Sequence, residues 1–212
     1  MAEPEETLER EWWLRTLSIF QAPRPVFAAL RDDSDAAAEA RQEPVLLLVL
    51  LAGIAGTLSS PTAGRLMNGA DRDGLVTAVL IFVAAIMYGF ATYWIGGGVL
   101  YLGMRGAGSK GSYRRARHIL AFAAAPLALS LMTIWPVELA VYGSDLFTTG
   151  GSDTGLAFRV FQGIESAFVL WSLVLLAIGI AVVERWKTVR AIGALGLSLF
   201  VLIGLALLPF LL

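Results

Sequence analysis

The sequence contains no cysteine and only one histidine, His118. The missing thiols exclude disulfide bonds, thiolate metal ligands and a cysteine nucleophile. One histidine is too few for a multi-histidine metal site within one subunit. We therefore expect no metal and no cofactor.

Charged residues are also scarce, at 16% of 212 residues, whereas 57% of the residues are hydrophobic. A soluble domain carries charge on about a quarter of its residues. The charges fall in gaps between long apolar runs, and the mean hydropathy is +0.72. This pattern is typical of an integral membrane protein. The net charge of −1 gives no indication of binding to nucleic acid.

Five apolar runs predict an all-α fold with five transmembrane helices. The spans are 44–60, 74–104, 116–142, 158–183 and 191–212. About 20 helical residues cross a hydrocarbon core of ~30 Å, so the first run is marginally short and the second is long. Gly96, Gly97 and Gly98 mark a place where the second helix could bend or end early. The chain thus divides into a polar segment, 1–43, without a cleavable signal peptide, and a membrane domain, 44–212.

The lysines and arginines predict the orientation. Thirteen of them lie in the N-terminal segment and in the second and fourth loops, and three lie on the other side. The positive-inside rule then puts the N-terminus in the cytoplasm and the C-terminus outside. This alternation requires an odd number of spans, in agreement with five.

The N-terminal segment predicts interfacial amphipathic helices. Apolar residues from Leu8 to Phe20 recur at helical spacing, and Trp12 and Trp13 would anchor the helix at the level of the lipid headgroups. Pro25 suits the first residue of a second short helix, 25–31. The run 31–43 (RDDSDAAAEARQE) is predicted to be a solvated linker.

Pro126 is a candidate helix break in the middle of the third span. A proline removes one backbone hydrogen bond and frees a carbonyl group, here that of Phe122. A broken helix of this kind lines the substrate site of some transporters. Proline kinks that serve only packing are commoner in membrane helices, and we favour that interpretation.

Glu138, Arg159 and Glu165 form a candidate intramembrane polar group. All three fall toward the outer ends of the third and fourth spans. Ionisable groups inside a membrane are candidates for function, and Arg159 with Glu138 is the expected pair. A structural ion pair near the interface explains the same residues equally well.

A basic cluster at the start of the third span contains Arg114, Arg115, Arg117 and His118. It is a candidate contact for an anionic lipid headgroup or for a partner. It is equally explained as a topology signal, with His118 simply at the interface rather than a pH switch.

Enzyme motifs are not found. Lys110 and Arg117 match the start of the motif of membrane lipid phosphatases, but the remaining residues of that motif are absent. There is no Gly-x-Ser-x-Gly sequence and no phosphate-binding glycine loop. We expect a protein that is not an enzyme and has no catalytic residue.

The chain resembles the Yip1-domain family in its bacterial form. The features that carry the resemblance are a short helix after a proline turn (APRPVFAAL), five spans, the run GSYRRARHILAFAAAP ending at Pro126, and a short loop into the last span. The resemblance implies a non-catalytic protein of the bacterial plasma membrane, and it offers no catalytic residues to carry over.

Two functions remain open at this point. The first is a scaffold or accessory protein that binds membrane lipids and other membrane proteins, such as transporter subunits. The second is a small transporter, channel or lipid-handling protein. Few polar residues lie near the middle of the spans, which favours the first. Self-association into a homo-oligomer is left open.

Overall fold

A computed structural model describes residues 4–59, 74–143 and 155–208. This part of the chain is helical and contains no strand. In chain order the helices are α1 (Pro4–Ser18), α2 (Pro23–Ala29), α3 (Asp35–Ala40), α4 (Gln42–Leu58), α5 (Gly74–Ala91), α6 (Gly97–Gly106), α7 (Tyr113–Ala123), α8 (Ala125–Tyr142), α9 (Leu156–Val183) and α10 (Thr188–Leu207). A π-helical turn, Thr92–Gly96, joins α5 to α6.

Four helical segments of the described chain are long and apolar enough to cross a membrane. They are Val79–Gly106, Tyr113–Tyr142, Leu156–Val183 and Thr188–Leu207. The prediction of an all-helical membrane protein is thereby confirmed. The fifth predicted span corresponds to α4, which is apolar but has only 17 residues. At 1.5 Å per residue α4 is about 25 Å long, somewhat short of a ~30 Å core, so a fifth crossing stays a prediction.

The second span does not end at its three glycines. The helix passes through the π turn and continues as α6 to Gly106. A π turn adds a residue to the helical turn, so a carbonyl group is available to a partner outside the helix. The Tyr113 hydroxyl, on α7, donates a hydrogen bond of 2.5 Å to the carbonyl oxygen of Trp94.

The polar segment 31–43 was predicted to be a solvated linker; many of its side chains are exposed, but it forms a helix, α3, and ends in a buried arginine, which the prediction missed. Ser34 caps α3, because its hydroxyl oxygen accepts a hydrogen bond of 3.3 Å from the amide of Ala37. Arg41 follows the helix and is fully buried. The neighbouring α2 begins at Pro23 rather than Pro25, since both prolines fit the first turn, where no amide hydrogen is required.

The described helices divide into two compact units, which we treat separately. The first unit comprises Met1–Leu47, Thr92–Ala123 and Leu173–Leu212. The second comprises Leu48–Ala91 and Ala124–Ser172. Two of the boundaries coincide with irregular backbone: the start of the π turn, and Ala124, where α7 ends and α8 begins.

Small residues allow close helix packing within each unit. In the first unit, Gly103 of α6 faces α10, where a Cβ at Gly103 would lie 2.7 Å from the carbonyl oxygen of Ala194. In the second, a Cβ at Gly53 of α4 would lie 2.7 Å from the Cα atom of Gly89 on α5. Contacts this close are typical of helices that associate inside membranes.

Pro126 lies at the predicted break in the third span. Helix α7 stops at Ala123, and α8 starts at Ala125 with Pro126 in its first turn. The amides of Leu127 and Ala128 both donate to the carbonyl oxygen of Ala124, so the break is closed by local hydrogen bonds. Pro126 is fully buried. A second proline, Pro136, lies inside α8.

Candidate functional site: an arginine network and an aromatic cage

Arg41 is the centre of a polar network in the first unit. Its guanidinium group is buried and donates from three nitrogens. Nε donates to Nδ1 of His118 at 2.8 Å, Nη1 to the carbonyl oxygen of Asp32 at 2.7 Å, and Nη2 to Oδ1 of Asp33 at 3.4 Å. Since Nδ1 of His118 accepts a hydrogen bond, it carries a lone pair, and this geometry suits the neutral imidazole with its proton on Nε2.

Trp12 covers the network on one side. Its ring lies 5.5 Å from the guanidinium carbon of Arg41 and 5.6 Å from the ring of Phe122 on α7. Trp12 is 3% exposed, so the structure buries it in the protein instead of placing it at a lipid boundary. Trp13 is half-buried. The prediction of Trp12 as an interfacial anchor is therefore corrected, and α1 is attached to the rest of the first unit by this ring.

Arg114 holds the segment before α3 against α7. Its Nε donates to Oδ1 of Asp33 at 3.1 Å, and its Nη1 donates to Oδ1 of Asp35 at 2.7 Å. Its Nη2 donates to the carbonyl oxygen of Asp33, and the hydroxyl of Ser112 donates to the Asp33 carboxylate. Asp33 thus accepts from two arginines and a serine.

Arg115 and Arg31 extend the network to the end of α9. Nη2 of Arg115 donates to the carbonyl oxygen of Arg31 at 2.9 Å. The Arg31 side chain donates to the carbonyl oxygen of Val182 from Nε at 3.1 Å and from Nη2 at 2.5 Å. Four arginines therefore use their donors to fasten the N-terminal helices to α7 and α9.

The electrostatic environment favours the charged form of Asp33. Burial by itself would raise the pKa of this carboxyl group, but the Ser112 hydroxyl and the Arg114 guanidinium outweigh it and lower the pKa below the usual 3.8. Burial lowers the pKa of Arg41, partly offset by Asp33. The Arg41 guanidinium group nevertheless remains charged, as arginine does in proteins.

Arg117 has different surroundings from the other arginines of the cluster. Its guanidinium carbon lies 5.0 Å from the ring centroid of Tyr93, 3.8 Å from that of Trp94 and 4.7 Å from that of Tyr113. We call these three rings the aromatic cage. Among the described residues Arg117 donates no hydrogen bond and forms no ion pair, and its Nε is buried without a partner.

A second polar group lies in the second unit. Glu138 is buried, Glu165 is half-buried, and the two carboxylates are close enough for their charges to interact. Glu165 accepts a hydrogen bond from the Ser59 hydroxyl. Buried polar atoms without a hydrogen-bond partner in the described chain are also found in this unit: Thr57 Oγ1, Trp135 Nε1, Tyr142 Oη, Glu165 Oε1 and Ser172 Oγ.

Arg159 does not join the two glutamates. Its side chain is exposed, and it forms no ion pair with Glu138 or Glu165 in the part of the chain that the structure describes. The expected Arg159–Glu138 pair is thus not observed. The charge that acts on Glu138 is instead that of Glu165.

The sequence pointed to the arginines of the cluster but not to their partners. Asp33, Asp35 and Arg41 were assigned to a linker, because their run is polar and rich in alanine. Ser34 before an alanine-rich run is a helix-start signal that would have placed α3. No sequence signal indicates the aromatic cage, whose rings come from the π turn and from α7, with α6 and a loop between them in the chain.

No constellation of a known enzyme class is formed by the groups described above, and no cluster of three or more His, Asp or Glu side chains suited to a metal ion occurs in residues 4–59, 74–143 and 155–208. Four apolar helices of membrane-spanning length define the class: a multi-pass integral membrane protein. A family model of the Yip1 domain matches residues 17–210, and the chain therefore belongs to the Yip1 domain family. No curated protein and no solved structure matches the chain significantly.

Proposed function

We propose that this protein is a non-catalytic scaffold or accessory subunit of the bacterial plasma membrane, which binds other membrane components through its N-terminal helices. The observation that carries this proposal is the rigid attachment of α1–α3. Buried charged hydrogen bonds are strong and directional, so a network of four arginines fixes the orientation of these helices. A segment that only tethered the chain to the membrane would not require such an attachment.

The attached helices present an apolar surface. Leu14 and Leu17 of α1 are 60% and 69% exposed, on the side away from Trp12 and Thr16. Two exposed leucines at this spacing form one strip on the helix. Such a strip suits an apolar groove of another membrane protein, or the acyl region at the membrane surface.

Site-specific photo-crosslinking in cells tests this proposal. A photoreactive amino acid at Leu14 or Leu17 should give a discrete crosslinked protein band, and one at exposed Val160 of α9 serves as the lipid-facing control. Leu14→Glu introduced beside the probe at Leu17 should abolish the band. Crosslinks to lipid alone at both positions would refute a protein-binding role and leave α1 as an interfacial anchor.

A second candidate function, ion or proton transport, is favoured by one observation. The charge of Glu165 acts on Glu138 in helices of membrane-spanning length, and neither carboxylate has a cationic partner among the described residues. Two interacting carboxylates away from bulk water disfavour double ionisation, so a proton or a bound cation that compensates one charge would stabilise the pair. The same unit also contains buried hydroxyl groups without a hydrogen-bond partner, those of Thr57 and Ser172.

Proteoliposomes separate the two functions. If the pair carries ions, wild-type protein will dissipate a proton or sodium gradient, and Glu138→Gln or Glu165→Gln will abolish the flux. Glu184→Gln, which changes a half-buried glutamate of the first unit, is the matched control and should leave the flux unchanged. Equal leakage from wild-type and empty vesicles would exclude this second function.

A further inference from the structure

The guanidinium group of Arg117 has a fixed position but no hydrogen-bond acceptor. A guanidinium group has five N–H donors, which point outward in its own plane. An aromatic ring stacked on the face of the group attracts its positive charge but leaves these donors without an acceptor. Arg41, Arg114 and Arg115 all donate to carboxylates, carbonyls or the imidazole, as described above. Arg117 donates to none of the residues that the structure describes.

The packing around the stem keeps this group in the cage. Gly97 lies directly against the Arg117 side chain, and a Cβ at position 97 would overlap it. The hydrogen bond from the Tyr113 hydroxyl to the backbone carbonyl oxygen of Trp94 holds the Tyr113 ring against the π turn, and the Trp94 and Tyr113 ring centroids are 6.2 Å apart. The cation is thus pre-positioned, and a ligand that binds it would not have to order the side chain.

The place of Arg117 in its helix indicates which anion it meets. It lies four residues after Tyr113, where the apolar segment Tyr113–Tyr142 begins, so it is about 6 Å along the helix. Tyrosine and tryptophan rings concentrate at the depth of the lipid headgroups. The anions at this depth are lipid phosphates, whose oxygens match the fork of a guanidinium group.

We infer that Arg117, held by Tyr93, Trp94 and Tyr113, binds the phosphate group of an anionic phospholipid through its terminal nitrogens. The other three members of the basic cluster each have a hydrogen-bond partner within the protein, although Nε of Arg115 has none; Arg117 is the member without any such partner among the described residues. The inference does not depend on the scaffold role, because the ligand is a lipid and the site is remote in sequence from the exposed leucines of α1.

Native mass spectrometry of the full-length protein in neutral detergent, titrated with phosphatidylglycerol, measures the site directly. Loss of charge-assisted hydrogen bonds in Arg117→Gln should weaken binding of the first lipid about 10- to 100-fold. Arg190→Gln is the matched control. Arg190 also stacks on a ring, at 4.2 Å from Trp186, but donates to the carbonyl oxygen of Ala107 at 2.6 Å. Its removal should leave the affinity unchanged.

Two further experiments identify the source of the phosphate and keep the test valid if the Arg117→Gln variant does not fold. Inorganic phosphate should compete poorly with the lipid. If it displaced the lipid at equal concentration, the site would be one for free phosphate, and the inference of a lipid ligand would be wrong. A photoreactive phosphatidylglycerol crosslinked to the wild-type protein should label peptides containing Trp94 or Arg117, whether or not the variant folds. Equal lipid affinity of wild type and Arg117→Gln, or labelling confined to other peptides, would overturn the inference.

Discussion

At the scale of single residues, the same amino acid has three distinct roles in this protein. Arg41 is buried and donates a hydrogen bond from each of its three nitrogens, Arg117 is caged and donates none to the described residues, and Arg159 is exposed. All three are arginines next to or within apolar helices, and the differences come from their neighbours. Mutational effects should therefore differ widely among them.

Arg41→Ala should strongly destabilise the protein. Removing one partner of a buried charged group costs about 3–5 kcal/mol, because the remaining groups stay desolvated and unpaired. We expect the lower part of this range, since Asp33 keeps its contacts with Arg114 and Ser112. Thermal unfolding in detergent measures the loss. Arg24→Ala, at an exposed position of α2, is the control and should melt like the wild type; equal melting of both variants would contradict the role of Arg41.

Arg159→Ala should change the free energy of unfolding by no more than about 0.5 kcal/mol, as is usual for an exposed residue without specific contacts. The sequence had suggested a large loss through a pair with Glu138. The same melting assay distinguishes the two expectations. A loss of stability comparable to that of Arg41→Ala would support the ion pair between Arg159 and Glu138.

Asp33 should make stability depend on pH in the acidic range. Its pKa is lowered in the folded state, so the folded protein binds fewer protons there than the unfolded chain. This stabilisation is fully present above the unfolded pKa of about 3.9 and is lost as the pH falls through the lower folded pKa. The melting temperature of the wild type should therefore fall as the pH is lowered through this window.

Asp33→Asn should reduce that dependence. Asp32, whose pKa is also lowered, chiefly by the backbone and side chain of Ser34, will retain part of it. Asp35→Asn is the control, because the Asp35 side chain is 95% exposed although it contacts Arg114. An unchanged pH profile in Asp33→Asn would show that the network does not depend on this charge.

At the scale of helices, close packing rests on a few glycines. On α6, Gly103 faces Ser198 and Ala194 of α10, where a side chain would meet backbone atoms that cannot move alone. A Cβ added at Gly193 or Gly196, on α10 itself, would meet nothing within 4 Å in the described chain. Of these three glycines, Gly103 is therefore the one that permits close packing.

Gly103→Ala should lower the melting temperature, because α6 and α10 must separate to admit the methyl group; overpacking of this kind costs about 1–3 kcal/mol. Gly196→Ala is the matched control. It should be neutral or stabilising by about 0.5–1 kcal/mol, since alanine favours the helix more than glycine does. A stabilising effect of both substitutions would indicate that α6 and α10 do not pack at Gly103.

At the scale of the whole molecule, the number of crossings decides the orientation of the two ends. Among the described residues, four segments have the length of a span, and α4 is a shorter apolar helix. Its glycine contact with α5 resembles packing inside a membrane. The Lys and Arg distribution also requires an odd number of crossings, so we expect α4 to cross.

Reporter fusions at both ends test this topology. An N-terminal reporter should be active only in the cytoplasm, and one fused after Leu212 should be active only outside. Because four crossings would put both ends on one side, cytoplasmic activity at both ends would show that α4 does not cross. A fusion after Gly108, in the loop between α6 and α7, should report the cytoplasm if α4 crosses and the outside if it does not, so it gives a second, independent readout.

The sequence by itself determined the class of this protein and the approximate position of its long helices. Hydropathy and helix length act along the chain, and the distribution of Lys and Arg acts at the level of whole loops, so neither requires knowledge of contacts. The family resemblance likewise followed from the order of the spans and from the run ending at Pro126.

Only the tertiary structure decided which polar groups meet. Arg41 and His118 form a hydrogen bond although they are 77 residues apart in sequence, and no periodicity predicts such a pair. The polar run 31–43 looked solvated because its composition does not reveal that Arg41 is buried or that Asp33 accepts hydrogen bonds from α7. The rotation of each helix determines whether an arginine finds a carboxylate, an aromatic cage or solvent, and that rotation is fixed by packing between helices.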